Sequence, residues 1–230
     1  MNPWKRDRYI RTIKENISAA NIFLLIQVVL FILMSFAGGS TDVRVLVNFG
    51  AKFNPYIQLG EYWRFITPIF LHIGFEHLFM NSILLYFLGN QLENIIGRWR
   101  FATLYLLSGI LGNLMSFAFS TAVSAGASTS LFGLFGLIIY LSYKHSYIYS
   151  FRQLGATYGF LIAINVVFGF FGGNIDVYGH MGGLIGGFLI AGVISFRGDR
   201  RTTSLQRLIF AVAYILIAGA FFVLGMGRGY

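Results

Sequence analysis

Cysteine is absent from the 230 residues, so disulfides and thiolate metal sites are excluded. Charge is scarce as well. Asp, Glu, Lys and Arg make up 11% of the chain, against 57% hydrophobic residues. Such a composition cannot stay in water as a single globule and reads as a polytopic membrane protein. A cleavable leader is not expected either. The first apolar run is too long for a signal-peptide core and has no small-residue cleavage site followed by a soluble domain, so it reads as an uncleaved anchor. No low-complexity linker or second domain interrupts the chain.

What is present is a series of apolar runs: Ile17–Ala37, Ile73–Leu92, Phe101–Thr121, Ala127–Tyr143, Ala156–Phe171, Gly179–Phe196 and Leu208–Leu224. Their lengths suit transmembrane helices, and the pattern predicts an all-α bundle of seven spans with its termini on opposite sides. Residues 1–16 read as a basic cytoplasmic segment, 17–196 as a six-helix core, and 197–230 as a loop and a seventh span. With the N-terminus inside, 13 of the 17 Lys and Arg residues fall on inner segments and four (Arg44, Lys52, Arg64, Arg228) on outer ones. This positive-inside bias orients the chain. It accounts for the formal charge of +9 as contact with anionic lipid headgroups, not nucleic acid. Without an organelle-targeting segment, a bacterial plasma membrane is the expected location. The outer connection Gly38–His72, about thirty-five residues long, is long enough to be functional. Its aromatic residues, among them Phe49, Phe53, Tyr56, Tyr62, Trp63 and Phe65, suit the membrane interface.

Polar side chains gather at the outer ends of three spans. Gly126-Ala127-Ser128-Thr129 opens run four, and Gly179-His180-Met181-Gly182-Gly183 opens run six. A serine with a histidine on a neighbouring helix is the minimum for nucleophilic acyl transfer, and the start of a helix stabilises developing negative charge. Gly179, Gly183 and Gly187 recur every four residues, a pattern for tight helix contact, and place His180 on the face that can approach another backbone most closely. On run two, His77 and Asn81 share one helical face. His72, Glu76 and His77 resemble a zinc motif, but five residues turn His72 roughly 140° away from His77 on a helix; no metal is expected. Each feature also has a bland reading: a serine bonding its own helix, an interfacial histidine, and glycines and an asparagine that only pack helices. Their convergence on one side of the membrane favours a site.

These residues resemble the rhomboid family of intramembrane serine proteases. The likeness covers roughly residues 60–195: Trp63-Arg64, His72, His77, Asn81, Glu93 with Gly97, Gly126-x-Ser128 and His180-x-x-Gly183. It implies a six-helix core, here with one more helix, and a Ser128–His180 dyad that needs no metal or diffusible cofactor. It further implies an oxyanion hole from His77, Asn81 and the Ser128 N–H, an aromatic ring (Phe132) against the histidine, and a tight backbone approach at Gly126. Transmembrane segments of other proteins would be the substrates, cleaved near the outer face. The resemblance leaves the oligomeric state open. A gate would involve run five and the Gly172–Gly179 connection. One residue departs from the family: Thr129 stands where glycine usually follows the nucleophile. Either it crowds the oxyanion hole or it supplies a helix-capping hydroxyl. It is the sole support for the alternative, a non-catalytic relative that binds and escorts membrane helices. A transporter or channel is a third reading, disfavoured because runs three, five and seven lack paired charges. Ser130 points nearly opposite to Ser128, and Asp176 reads as a loop residue.

Overall fold

The computed structural model describes residues 18–171 and 176–229, with the side chains of 165–171 outside that description. The regular structure of the described residues is helical, apart from one isolated antiparallel bridge between Lys52 and Ser124. In chain order the helices are α1 (Ala19–Phe36), α2 (Val43–Asn48), α3 (Asn54–Gln58), α4 (Phe75–Leu84), α5 (Asn90–Ile96), α6 (Arg98–Phe119), α7 (Ser128–Lys144), α8 (Tyr149–Phe171), α9 (Val177–Ile194) and α10 (Ser204–Met226). Helices α1, α6, α9 and α10 are long and apolar enough to cross a membrane.

Run two is a composite: α4 and α5 are joined by a π-helical turn at Leu85–Gly89. Run four corresponds to α7, which has only 17 residues. The long connection after α1 has structure of its own, with α2, α3 and two short 3₁₀ turns at Tyr62–Phe65 and Thr67–Phe70. Arg64 holds this segment together. Buried, it donates to the carbonyls of Val47 (2.7 Å) and Ala51 (3.0 Å) and pairs with Glu61. At the start of α1, Glu93 of α5 accepts the N–H groups of Ala19 and Ala20, each at 2.9 Å. These are donors a helix N-terminus leaves free.

The centre of the fold is the trio α6, α7 and α9. Close approach between membrane helices needs small residues where backbones meet, and α9 has two rows of them. Gly183 and Gly187 face α7, where a Cβ would run into the carbonyls of Thr129 and Gly133. Gly182 and Gly186 face α6, where a Cβ would meet Leu111, Gly112, Met115 and Ser108. The pairing of α9 with α7 follows the stripe expected from sequence; the second row is an addition. At the end of the trio away from Ser128, Asp199 accepts the N–H groups of Arg201 (2.9 Å) and Thr202 (3.2 Å) and lies 3.7 Å from His145 and 3.4 Å from Arg207. This cluster ties the end of α7 to the start of α10.

Candidate active site

Gly126 shapes the turn before α7. Its φ of +150° is open to glycine and strained for other residues, and its missing side chain leaves room for a neighbour. A Cβ there would lie 2.6 Å from His77 Cε1, 2.9 Å from His77 Nε2 and 3.5 Å from Ser128 Oγ. The ring of His77 on α4 and the hydroxyl of Ser128 on α7 therefore converge on one stretch of backbone.

Two hydrogen bonds fix that stretch. Gly126 N–H donates to the Pro68 carbonyl (2.9 Å), and Ala127 N–H donates to His72 Nε2 (3.4 Å). An imidazole nitrogen accepts only when unprotonated. Burial, helped by the nearby His77, pushes His72 down to about 3 against an opposing backbone hydrogen bond at Phe70, so it is neutral near pH 7. The His72 and His77 rings meet edge to face, with centroids 5.2 Å apart. Asn81 lies one turn beyond His77 on α4, buried, and its Nδ2 has no partner among the described residues.

His180 sits in the first turn of α9. Its ring stacks on Phe132, one turn beyond Ser128, at a centroid separation of 4.2 Å and an interplanar angle of 15°. Ser128, Phe132, His180, His77, Asn81 and Gly126 thus lie toward one end of the bundle. No hydrogen bond joins Ser128 to His180 among the described residues, and His180 Nδ1 is buried without a partner. Buried polar atoms are nearly always satisfied in folded proteins. Unpartnered nitrogens on His180 and Asn81, at the same end as the Ser128 hydroxyl, equip this end for proton transfer and for binding an anion.

Thr129 neither caps α7 nor faces open space. The cap residue is Ala127, with no side-chain hydrogen bond. The Thr129 side chain lies where Cβ atoms on Gly112 of α6 and Gly179 of α9 would have to go. A β-branched residue fits because its neighbours have no side chains. Ser130 is fully buried against Gly109 of α6, in a different direction from Ser128.

Sequence reasoning misses two participants, Asp176 and Pro68, and the task of a third, His72. Asp176 is the N-cap of α9, not a plain loop residue: its carboxylate accepts Gly179 N–H at 2.9 Å. An aspartate three residues before the first turn's glycine was the available signal. His72 has a structural task at the Ser128 turn, and the Pro68 carbonyl has another; neither is visible from spacing. The expected gate falls on Gly172–Ile175 in part, outside the described residues.

Comparison with known proteins bears on this site. The rhomboid domain model matches residues 59–197. The chain is 40% identical over 205 residues to the rhomboid protease GluP of Bacillus subtilis strain 168, covering 89% of this chain and 40% of that protein. It is 39% identical over 153 residues to rhomboid-like protease 1 of Toxoplasma gondii (64% of this chain, 52% of the relative). With RHOMBOID-like protein 1 of Arabidopsis thaliana, identity is 38% over 161 residues (69% and 39%). The chain spans about half or less of the length of each of these relatives.

Proposed function

The chain belongs to the rhomboid family, and from that premise we propose that it is an intramembrane serine endopeptidase acting on transmembrane segments of other proteins. Ser128 is the nucleophile and His180 the general base. The observation that carries this reading is the docking of the first two turns of α7 on the first two turns of α9. Glycine at 183 allows backbone-level contact there, and Phe132 stacks on His180 at 4.2 Å.

In this scheme Ser128 Oγ attacks the scissile carbonyl while His180 takes its proton. The imidazolium then protonates the leaving amine, and water releases the acyl-enzyme by the same steps in reverse. The developing oxyanion is held by His77, Asn81 and the Ser128 N–H, with the α7 N-terminus adding its dipole. Gly126 lets the His77 ring come against the backbone beside Ser128. The scheme uses no metal or cofactor.

The remaining topology belongs to the same proposal: a six-helix core plus α10 as a seventh span, N-terminus cytoplasmic, C-terminus and site at the outer face, in a bacterial plasma membrane. The charge bias supports this orientation. The escort alternative rests on Thr129 alone, and the packing of that side chain between Gly112 and Gly179 favours the catalytic reading.

Purified protein in detergent should cleave a helix-destabilised transmembrane substrate and react with a serine-directed phosphonate. Ser128→Ala should abolish both, and His180→Ala should abolish cleavage, because an unassisted serine hydroxyl is a weak nucleophile. Cleavage that survives Ser128→Ala in a clean preparation would overturn the assignment.

A further inference from the structure

Asp176 has more contacts than a helix cap needs. One carboxylate oxygen accepts Gly179 N–H at 2.9 Å, and the other accepts the hydroxyl of Ser116, a fully buried residue on α6, at 2.5 Å. The Asp176 carbonyl accepts His180 N–H at 3.0 Å. One residue therefore fixes the first turn of α9 from inside and ties it sideways to α6.

Next to this link lies Lys52, fully buried in the connection after α1. Its ammonium donates to the Ser120 carbonyl at 3.1 Å, and Asn54 donates to the same carbonyl at 2.8 Å. Its backbone pairs with Ser124 in both directions, at 2.9 and 3.1 Å. Burial pushes Lys52 down to about 8, and the Asp176 carboxylate works against that shift, which places the two charges within electrostatic reach. The polar chain thus runs from the turn carrying His180, through the end of α6, to the segment leading into Ser128. This chain adds polar links to the packing of Thr129 on Gly179 and Gly183 and the stack of Phe132 on His180.

We propose that Asp176 is a positioning residue for His180: the two hydrogen bonds its carboxylate accepts, from Gly179 N–H and Ser116 Oγ, set the first turn of α9 so that the imidazole lies over Phe132 and toward Ser128. This rests on the dyad reading above. Asp176 touches no reacting atom and acts only through the backbone of its helix. A catalytic group displaced by about 1 Å can lose 10²-fold in rate, so a modest relaxation of this turn is enough to be read in kinetics.

The test uses the full-length protein in detergent, with Asp176→Ala, Asp176→Asn, Ser116→Ala and the double variant Asp176→Ala/Ser116→Ala, at a temperature where each is folded. Expected results are a fall in kcat of about 10–10²-fold for Asp176→Ala with KM little changed, substantial recovery in Asp176→Asn, which keeps an acceptor for Gly179, and no further loss in the double variant beyond Asp176→Ala alone. A kcat for Asp176→Ala within twofold of the unmodified protein, or a loss confined to KM, would overturn the proposal. A second readout needs no turnover. In ring-¹³C-histidine protein carrying Ser128→Ala, the His180 signal, shifted by the Phe132 ring current, should move on Asp176→Ala while His145 stays put. An unmoved His180 signal would overturn the proposal even if no substrate were cleaved. Failure of the dyad reading shows separately, as cleavage that persists in Ser128→Ala.

Discussion

Helices α1 and α10 are the most apolar of the four candidate spans, yet only 22% and 6% of their spanning windows are buried; α6, less apolar, is 72% buried. In a lipid environment this inversion is physical. Tails are as apolar as leucine, so hydropathy marks the face a helix shows to lipid, whereas contact between helices depends on close packing. The inner trio spends its sequence on Gly and Ser: Gly109 and Gly112 on α6, Gly133 and Gly136 on α7, and the two glycine rows of α9. Those small residues let polar groups of three helices meet at one end. The outer helices carry less of that constraint: α10 docks on α6 with one glycine, Gly225, receiving the Phe117 ring of α6, and with Tyr214 donating to the Leu107 carbonyl at 2.8 Å.

This contrast can be broken most severely at Gly187. A Cβ there falls on the Gly133 backbone, and over-packing of this kind costs about 1–3 kcal/mol or more. Gly187→Val should therefore lower the midpoint of thermal unfolding in detergent sharply and remove protease activity with it. A midpoint within a degree of the unmodified protein would mean that the trio is looser than its glycines imply. At the site itself, Asn81→Ala should leave the unfolding midpoint nearly unchanged, since Asn81 Nδ2 has no partner to lose, while kcat falls about 10²–10³-fold as expected for a lost oxyanion donor. Equal losses in stability and rate would make Asn81 helix glue instead.

A smaller effect is expected where α10 joins the trio. Burial alone would raise the Asp199 carboxyl, but hydrogen bonds, including those from the backbone N–H groups of Arg201 and Thr202, hold it at about 2. Its contribution to stability is complete above the unfolded value of about 4 and is lost as the pH falls from there through about 2. Asp199→Asn should lower the unfolding midpoint at pH 6–8 by a few degrees, about 2–4 °C for each 1 kcal/mol, and the difference should vanish near pH 2. Smallest of all is Gly219→Ala on α10, where nothing lies within 4 Å of the added carbon. Alanine is the better helix former by up to about 1 kcal/mol, so the midpoint should hold or rise slightly. A fall would show α10 to be packed more tightly than its exposure indicates.

Much of the trio was legible from sequence because glycine spacing and polar residues in apolar runs are local signals. The four-residue glycine stripe foretold which face of α9 meets α7, and the charge-poor composition foretold helices throughout. The interior of the Gly38–His72 connection was not legible: Arg64 reads as a lone loop cation, and only the fold shows it bonded to the carbonyls of Val47 and Ala51. The packing of Thr129 is not legible because it depends on two glycines from other helices, one of them 17 positions away in sequence. Asp176 was undervalued for a similar reason. Its partner Ser116 is 60 residues distant, and no periodicity links them.

The π-helical turn at Leu85–Gly89 settles a problem of phase. At one end of this composite helix Glu93 must point at the start of α1, and at the other His77 must point at Gly126. Each residue in a regular helix turns the chain by about 100°, and both targets are fixed by other parts of the molecule. The wide turn absorbs one extra residue without breaking the helix, so the two ends keep independent bearings. Deleting a single residue within 85–89 would close the turn to a regular one and swing His77 and Asn81 about 100° relative to Glu93. Spacing between motifs in this segment is thus as constrained as the motifs themselves.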